Sequence, residues 1–158
     1  MVKEGKSDPL VDFRTIDDVI DFAIGQEIKA AEFYRKFGKI AEQPGVRKMC
    51  AEMAEEEEGH KRILEDLKGG LAMEPANVAI NELKISDYVR SFHLDPDADH
   101  QQLLAAAMKS EAKAEQLYRD LADRCTTPDI KNVLLRLAAE EGDHKDIFEQ
   151  EYDDNILD

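Results

Sequence analysis

Apolar residues recur at helical spacing along four long segments of the chain, and polar residues fill the positions between them. The pattern predicts helices A, B, C and D at residues 16–42, 45–68, 100–124 and 128–152. Residues 69–99 are too many for a hairpin turn and suit a crossover that carries a short helix near Ile85 to Arg90. Together these elements predict an all-α protein with a single domain over residues 1–158.

Local signals mark the ends of the predicted helices. Thr15, with Asp18 three residues on, is expected to cap the start of helix A, and the aspartates of "DPDAD" precede helix C. Thr127 and Pro128 are expected to start helix D. The two glycines at 69–70 predict the end of helix B.

The second half of the chain repeats the first. Residues 27–67 align without a gap on residues 111–151, and 13 of the 41 positions are identical. The identical pairs include Glu27/Glu111, Tyr34/Tyr118, Pro44/Pro128, Glu57/Glu141 and His60/His144. The repeating unit is therefore a helical hairpin used twice. Because one hairpin cannot bury its apolar stripe alone, the two are expected to pack as a four-helix bundle.

Six ionisable residues interrupt the apolar stripes at matching positions of the two hairpins. They are Glu27, Glu57 and His60 in the first hairpin and Glu111, Glu141 and His144 in the second. The two glutamates of each hairpin lie at equal distances from its turn, which places them side by side in antiparallel helices. A glutamate and a histidine three residues apart share one helix face. All six side chains are therefore expected to meet at the middle of the bundle.

The chemistry of these six residues predicts a pair of metal ions. Burying an unpaired carboxylate costs on the order of several kcal/mol. Two divalent cations would balance the four carboxylates, with neutral imidazoles completing the ligand set. A Glu from each of two helices with Glu-x-x-His from the other two is the di-iron carboxylate pattern, although these ligands suit manganese as well as iron.

The alternative is a bundle without metal, in which the buried carboxylates are protonated or salt-bridged. Two recurring pairs of basic residues are candidate partners for these carboxylates, but both are expected to point away from Glu27 and Glu111; they are Lys29/Lys113 and Arg35/Arg119. Tyr34 and Tyr118 face the same way as the predicted ligands. They would serve either as catalytic groups that hydrogen-bond a ligand or donate an electron, or as core aromatic residues.

The glutamates next to Glu57 have different expected roles. Glu55 and Glu58 are expected to face solvent, since each step along a helix turns by about 100°. Glu56, repeated as Glu140, either supports the ligands from outside or faces solvent. The remaining histidines are expected to be surface or capping residues, namely His93 and His100.

The amino-acid composition limits the classes of molecule that the protein is expected to bind. A net charge of −15 would repel nucleic acid and anionic membrane surfaces and attract cations. The longest apolar run, Leu103 to Met108, is too short to span a bilayer, and the start of the sequence has no apolar stretch of signal-peptide length. Cys50 and Cys125 occupy apolar helical positions outside any C-x-x-C pair. These features predict a cytoplasmic protein with reduced, buried cysteines.

The stretches "EIKAAEFY", "EEEEGHKRIL", "EAKAEQLY" and "EEGDHKDIF" resemble the ferritin-like superfamily, and most closely its rubrerythrin-like branch. The resemblance spans helices A to D and implies a ferritin-like four-helix bundle. It implies two iron ions (Fe²⁺/Fe³⁺) held by the six residues, with Glu57 and Glu141 bridging the metals, and manganese or a mixed pair stays open. It also implies reduction of H₂O₂ or O₂ and a homo-oligomer, with a dimer favoured.

Two departures from the family pattern bear on activity. The sequence has no C-x-x-C pairs of a rubredoxin module, so electrons would come from an external donor or from Fe²⁺ itself. Ala114 stands where the family has a further glutamate, with Glu115 one residue on, and this argues against rubrerythrin-type peroxidase chemistry. A di-iron oxidoreductase is the leading hypothesis, and a ferroxidase for iron storage or delivery and a metal-free structural or adaptor bundle are the alternatives.

Overall fold

The computed structural model describes residue 13 and residues 15–71, 83–92 and 95–156. Its long helices are α1 (Ile16–Ile40), α2 (Pro44–Leu71), α3 (His100–Arg124) and α4 (Pro128–Ile156). A 3-10 helix at Ile85–Asp87 lies in the connection between α2 and α3. Helix α1 packs along α2, and α3 packs along α4, so the predicted all-α bundle of two hairpins is confirmed. The predicted short crossover helix is also present, although it has three residues.

Two of the helix starts are fixed by reciprocal side-chain caps. The Thr15 hydroxyl accepts a hydrogen bond from the Asp18 N–H at 3.1 Å, and the Asp18 carboxylate accepts one from the Thr15 N–H at 2.9 Å. Asp99 and Gln102 form the same arrangement at the start of α3, at 2.8 and 2.9 Å. These caps satisfy N–H groups that a helix start leaves without an intrahelical partner. The predicted caps at Thr15 and in the "DPDAD" segment are confirmed.

The predicted end of helix B at the two glycines is wrong, because α2 continues through both of them to Leu71. Gly69 does not adopt the left-handed conformation that ends many helices. Lys68 donates to an Asp21 carboxylate oxygen at 2.6 Å and so joins this last part of α2 to α1.

The other helix bounds differ from the prediction by a few residues. Helix α1 ends two residues early, since Ala41 is extended and its carbonyl accepts a hydrogen bond from Arg47 Nε at 2.6 Å. Helix α2 begins at Pro44, where a proline costs no intrahelical hydrogen bond. Helix α4 runs four residues past its predicted end, to Ile156.

Contacts between the hairpins fix the direction of each helix. Tyr34 of α1 bonds to Glu111 of α3, whereas Tyr118, further along α3, bonds to Glu27, which precedes Tyr34. Residue numbers therefore rise along α1 as they fall along α3, so these two helices are antiparallel. Helix α2 is antiparallel to α1 within its hairpin, and α2 and α3 accordingly run parallel, joined by the long crossover.

Two apolar clusters fill the bundle on either side of a polar layer, which is the level of the bundle that contains the six predicted ligands. One contains residues from the start of α1 and the end of α3, such as Ile20 and Leu121. The other contains residues from the end of α1 and the start of α3, such as Phe37 and Leu104. The six predicted ligands lie between these clusters in sequence on every helix. None of the described helices is apolar and long enough to cross a bilayer.

The crossover takes part in the core. Leu83, Ile85 and Tyr88 are buried in the first apolar cluster. The Tyr88 hydroxyl also donates to an Asp120 carboxylate oxygen at 2.6 Å, which fastens the crossover to α3. These contacts bring the next residues of the crossover, including Arg90, to the polar layer.

Candidate metal centre

The six residues predicted from the repeat come together in the middle of the bundle. All are buried, with at most 2% of each residue exposed. They form two groups of four, and both groups contain Glu57 and Glu141. Within each group, the potential ligand atoms lie within 4.8 Å of one another. The two groups are Glu27, Glu57, His60, Glu141 and Glu57, Glu111, Glu141, His144.

Each histidine directs Nδ1 towards three carboxylates. His60 Nδ1 lies 2.8 Å from Glu141 Oε1, 3.4 Å from Glu57 Oε1 and 3.6 Å from Glu27 Oε2. The two imidazole rings are nearly parallel, with centroids 5.7 Å apart. The second group has the same geometry: His144 Nδ1 lies 3.3 Å from Glu57 Oε1 and 3.6 Å from Glu111 Oε2 and Glu141 Oε1.

These inward-facing atoms fit a pair of metal ions. Both Nδ1 atoms and the carboxylate oxygens around them are buried, and none makes a well-aligned hydrogen bond among the described residues, even at the 2.8 Å between His60 Nδ1 and Glu141 Oε1. Buried polar atoms are costly unless hydrogen-bonded or bound to a metal. Two carboxylate-rich ligand sets that share two glutamates match the chemistry of a dinuclear centre.

The outer nitrogen of each histidine contacts a glutamate of the opposite hairpin. His60 Nε2 lies 3.2 Å from Glu140 Oε1, and His144 Nε2 lies 2.9 Å from Glu56 Oε2. The His60–Glu140 contact is a hydrogen bond, and an acceptor on the outer nitrogen fixes the ring and the tautomer that offers Nδ1 to a metal. His144 Nε2 makes no aligned hydrogen bond among the described residues, so its contact with Glu56 is an electrostatic one. Both glutamates contact a predicted ligand, and the Glu56 side chain is also half exposed to solvent.

The two tyrosines also reach across the bundle. Tyr118 Oη donates to Glu27 Oε1 at 2.6 Å, and Tyr34 Oη donates to Glu111 Oε1. Burial, followed by the charge of the nearby carboxylates, holds the pKa of both phenols well above the usual range. Both hydroxyls therefore remain protonated donors that orient a predicted ligand, while their catalytic role stays a prediction.

Sequence reasoning missed Arg90. This residue of the crossover is buried, and its guanidinium lies within the polar layer. Its Nη2 lies 3.0 Å from Glu57 Oε2 and 3.5 Å from Glu111 Oε1, and its Nη1 lies 3.5 Å from Glu141 Oε2 and 3.7 Å from Glu27 Oε1. One cation therefore contacts all four buried carboxylates.

Two residues that precede predicted ligands hold Arg90 in place. Arg90 Nε donates to Ser110 Oγ at 2.7 Å, and the Arg90 backbone N–H donates to Gln26 Oε1 at 2.7 Å. Gln26 and Ser110 occupy equivalent positions of the repeat. The face of the Phe92 ring lies 5.5 Å from the guanidinium carbon. Arg90 is thus fixed by both hairpins.

Comparison with known proteins agrees with this geometry. The family model described as Rubrerythrin matches residues 18–95 and 102–156. The chain belongs to the rubrerythrin family. Membership in this family and the buried carboxylate–histidine layer together indicate a di-iron site and, at a coarse level, an oxidoreductase.

A solved structure supports the fold. "Hypothetical Protein Pfu-1136390-001" from Pyrococcus furiosus matches with a TM-score of 0.70, over 88% of this chain and 89% of that chain. Its sequence identity to this rubrerythrin-family chain is 24%, so the likeness concerns the fold alone. The curated proteins include no match to the chain.

The departure from the rubrerythrin pattern at position 114 holds in three dimensions. Ala114 is buried in an apolar cluster. The Glu115 carboxylate is directed to Lys145 Nζ at 3.2 Å and to Arg119 Nη2 at 3.0 Å. It also covers Gly142, where a Cβ atom would lie 2.7 Å from Glu115 Oε2. Glu115 therefore does not replace the missing family glutamate in this arrangement.

The arginine makes the electrostatics of two repeat-related glutamates unequal. Burial alone would raise the pKa of Glu57, but Arg90 and the two histidines hold it well below its ordinary value. Burial and the charges of Glu111, Glu27 and Glu57 hold the pKa of Glu141 well above its ordinary value. Glu57 is thus a carboxylate paired with Arg90, whereas Glu141 favours the neutral carboxylic acid among the protein's own groups.

The remaining sequence predictions concern residues outside the layer. Arg35 contacts Glu58 at 3.2 Å, and Lys113 donates to the Asp87 carbonyl at 2.9 Å, so both point away from the site as predicted. Glu55 is exposed, as expected. His100 is the first residue of α3 and lies 3.7 Å from Glu151. His93 lies outside the described residues.

Proposed function

We propose that this protein is a di-iron oxidoreductase that reduces H₂O₂ or O₂ with electrons from Fe²⁺ or from an external donor. The observation that carries the proposal is the pair of buried four-residue groups that share Glu57 and Glu141. Two bound Fe²⁺ would supply the two electrons that convert H₂O₂ and two protons into two water molecules, or O₂ and two protons into H₂O₂. Family membership supports the same class of chemistry.

The residues of the chain would hold and shield this centre. Glu57 and Glu141 would contact both metals, and His60 and His144 would each complete one side. Tyr34 and Tyr118 would keep a proton on Oη and hold their carboxylate partners in one orientation. The apolar clusters on either side would limit the access of water and protect the reaction from competing hydrolysis and proton leakage.

The test is anaerobic loading with Fe²⁺, metal analysis, and stopped-flow absorbance after mixing with O₂ or H₂O₂. We expect about two iron ions per chain and oxidation faster than that of free Fe²⁺ in the same buffer. The variant Glu57→Ala is expected to bind fewer metal ions than the original protein. Its matched control is Glu58→Ala, because Glu58 belongs to the same run of glutamates but pairs with Arg35 outside the layer. Oxidation no faster than that of free Fe²⁺ would refute the proposal. Loading with manganese in parallel tests the identity of the metal.

Iron storage or delivery is the second candidate. It is favoured by a surface depression that is lined mainly by glutamates and includes Glu56, the residue in contact with His144. Such a surface would attract cations towards the site. Storage predicts a large closed assembly with many irons per chain, whereas the leading proposal predicts a homodimer or small oligomer with two. Sizing chromatography combined with an iron assay distinguishes these outcomes.

A further inference from the structure

The two oxygens of each carboxylate in the layer face different groups. The four oxygens that face the histidines are Glu27 Oε2, Glu57 Oε1, Glu111 Oε2 and Glu141 Oε1. The other oxygen of each carboxylate is the one that lies within 3.7 Å of the Arg90 guanidinium. The histidines and the arginine therefore contact different oxygens of the same four groups. We call the two sets of oxygens the histidine side and the arginine side.

The arginine side is rich in hydrogen-bond donors. Tyr34 and Tyr118 donate to arginine-side oxygens, and Arg90 adds the N–H groups of its guanidinium. Arg90 Nη1 is buried and has no hydrogen-bond partner among the described residues. The guanidinium is nevertheless fixed, since its Nε is bonded to Ser110 at 2.7 Å. A held, buried cation with an unpartnered donor is suited to an anion.

The charges of the layer lead to the same ligand. Four carboxylates contribute −4, and two divalent metal ions would contribute +4. Arg90 adds one positive charge that always remains, because a guanidinium does not lose its proton in proteins. A metal-loaded layer would thus carry a net charge of +1. A buried uncompensated charge is costly, and a single monoanion would remove it.

We propose that Arg90 makes the arginine side of the layer a binding site for one small monoanion, of the class of hydroxide and hydroperoxide. The inference rests on the proposed function, because the charge balance assumes two bound dications. It deepens that function by assigning Arg90 the role of a positioning residue for the anionic form of the oxidant. The competing role for Arg90 is that of a counter-ion for the carboxylates alone.

Azide, a small monoanion, is the probe that tests this site. Protein loaded anaerobically with two Fe²⁺ is titrated with azide without exposure to air and followed by calorimetry, with the metal content of every sample measured. The variants are Arg90→Gln, which removes the charge, and Arg90→Lys, which keeps it. Arg35→Gln is the matched control, since it removes an arginine whose partner, Glu58, lies outside the layer.

We expect Arg90→Gln to retain two metals and to bind azide about 10-fold or more weakly, as expected when a buried charge-assisted hydrogen bond is lost. Arg90→Lys is expected to lie between this variant and the original protein, and Arg35→Gln to match the original protein. Because Arg90→Gln could fail to fold, Ser110→Ala provides a second variant. It removes only the acceptor of Nε, and we expect a smaller loss of azide affinity with the metals retained.

Unchanged azide affinity in Arg90→Gln with two bound metals would overturn the anion site, as would a failure of the original protein to bind azide. If only the stability of the metal-free protein falls in Arg90→Gln, while azide binding to the loaded protein persists, Arg90 is a counter-ion and the proposal is wrong. Failure of the original protein to take up two metals would instead refute the proposed di-iron function. Metal analysis therefore separates the two failures.

Discussion

The two hairpins supply the same set of contacts to each other. Each hairpin provides a tyrosine whose hydroxyl donates a hydrogen bond to a carboxylate of the other hairpin. Each also provides a glutamate whose carboxylate contacts the Nε2 atom of a histidine in the other hairpin. The exchanged contacts are Tyr34 with Glu111, Tyr118 with Glu27, His60 with Glu140 and His144 with Glu56. Neither hairpin completes its own half of the layer, so the duplicated unit is only half of the site.

The difference between the hairpins comes from the crossover that joins them. Arg90 has no counterpart in the repeat, and its guanidinium lies closer to Glu57 than to Glu141, at 3.0 Å against 3.5 Å. The pKa of Glu57 is accordingly depressed, whereas that of Glu141 is raised. Equivalent positions in a repeat thus have equivalent geometry but unequal charge, because one connecting segment breaks the symmetry.

The largest expected effect tests the symmetric part of the comparison. Glu57→Ala and Glu141→Ala should each lose at least one of two metals, because each residue belongs to both four-residue groups. Glu27 and Glu111 belong to one group each, so Glu27→Ala and Glu111→Ala should each lose at most one metal ion. Metal analysis after anaerobic loading measures the counts. Full metal content in Glu57→Ala would contradict the shared role of that residue.

The next prediction tests the asymmetric part, in protein freed of metal by a chelator. Glu57→Gln should lower the free energy of unfolding by about 3 kcal/mol near pH 7, since it removes the charged acceptor closest to Arg90 while three other carboxylates still contact the guanidinium. Glu141→Gln should cost only about 1 kcal/mol, because its raised pKa favours a neutral carboxylic acid that glutamine resembles. Urea unfolding measures both. Equal losses would show that Arg90 does not distinguish the two glutamates.

A smaller and equal effect is expected for the two tyrosines. Tyr34→Phe and Tyr118→Phe each remove one hydrogen bond to a buried carboxylate, which is worth about 1.5 to 3 kcal/mol. Both variants should lose similar unfolding free energy and retain two metals. A rate of iron oxidation that falls in only one of them would identify that tyrosine as the catalytic one.

The outer glutamates should affect metal affinity rather than metal number. Glu56→Gln and Glu140→Gln each weaken the support of one histidine, and such changes lower metal affinity by about 10-fold or more. Glu140 also pairs with Arg136 at 2.8 Å, so its loss disturbs a further contact. Chelator competition measures the affinities, with the exposed Glu55→Gln as the control. No change in either variant would mean that solvent can replace both carboxylates.

Much of the site was predictable because its residues occur at equivalent positions in both halves of the repeat. The helical period placed Glu27 and Glu111 within apolar stripes, and the repeat gave the same pattern in both halves. The same period predicted that Tyr34 and Tyr118 share the inward face. It did not predict that each tyrosine serves the carboxylate of the other hairpin, because the phase of one helix does not specify its neighbour.

The presence of Arg90 in the site could not be predicted from helical periodicity. It lies after a short 3-10 helix in the crossover, where no period relates sequence to direction. The flanking Tyr88, Val89 and Phe92 form the one local signal that this segment packs inwards. The end of α2 was also mispredicted, because glycine lowers helix propensity without preventing a helix from continuing, and α2 runs through Gly69 to Leu71.

The smallest expected effect concerns the departure from the family pattern at Ala114. Glu115→Gln should leave two metals bound and the oxidation rate unchanged, because Glu115 pairs with Lys145 and Arg119 outside the layer. The partly exposed ion pairs limit the stability loss to about 1 kcal/mol or less. Metal analysis and stopped-flow absorbance provide the measurements, and Arg35→Gln is the control for loss of a similar surface pair. A marked fall in the rate of reaction with H₂O₂ would mean that Glu115 turns inwards during turnover and takes the place of the missing glutamate. An unchanged rate would mean that the Glu115 carboxylate takes no part in the reaction.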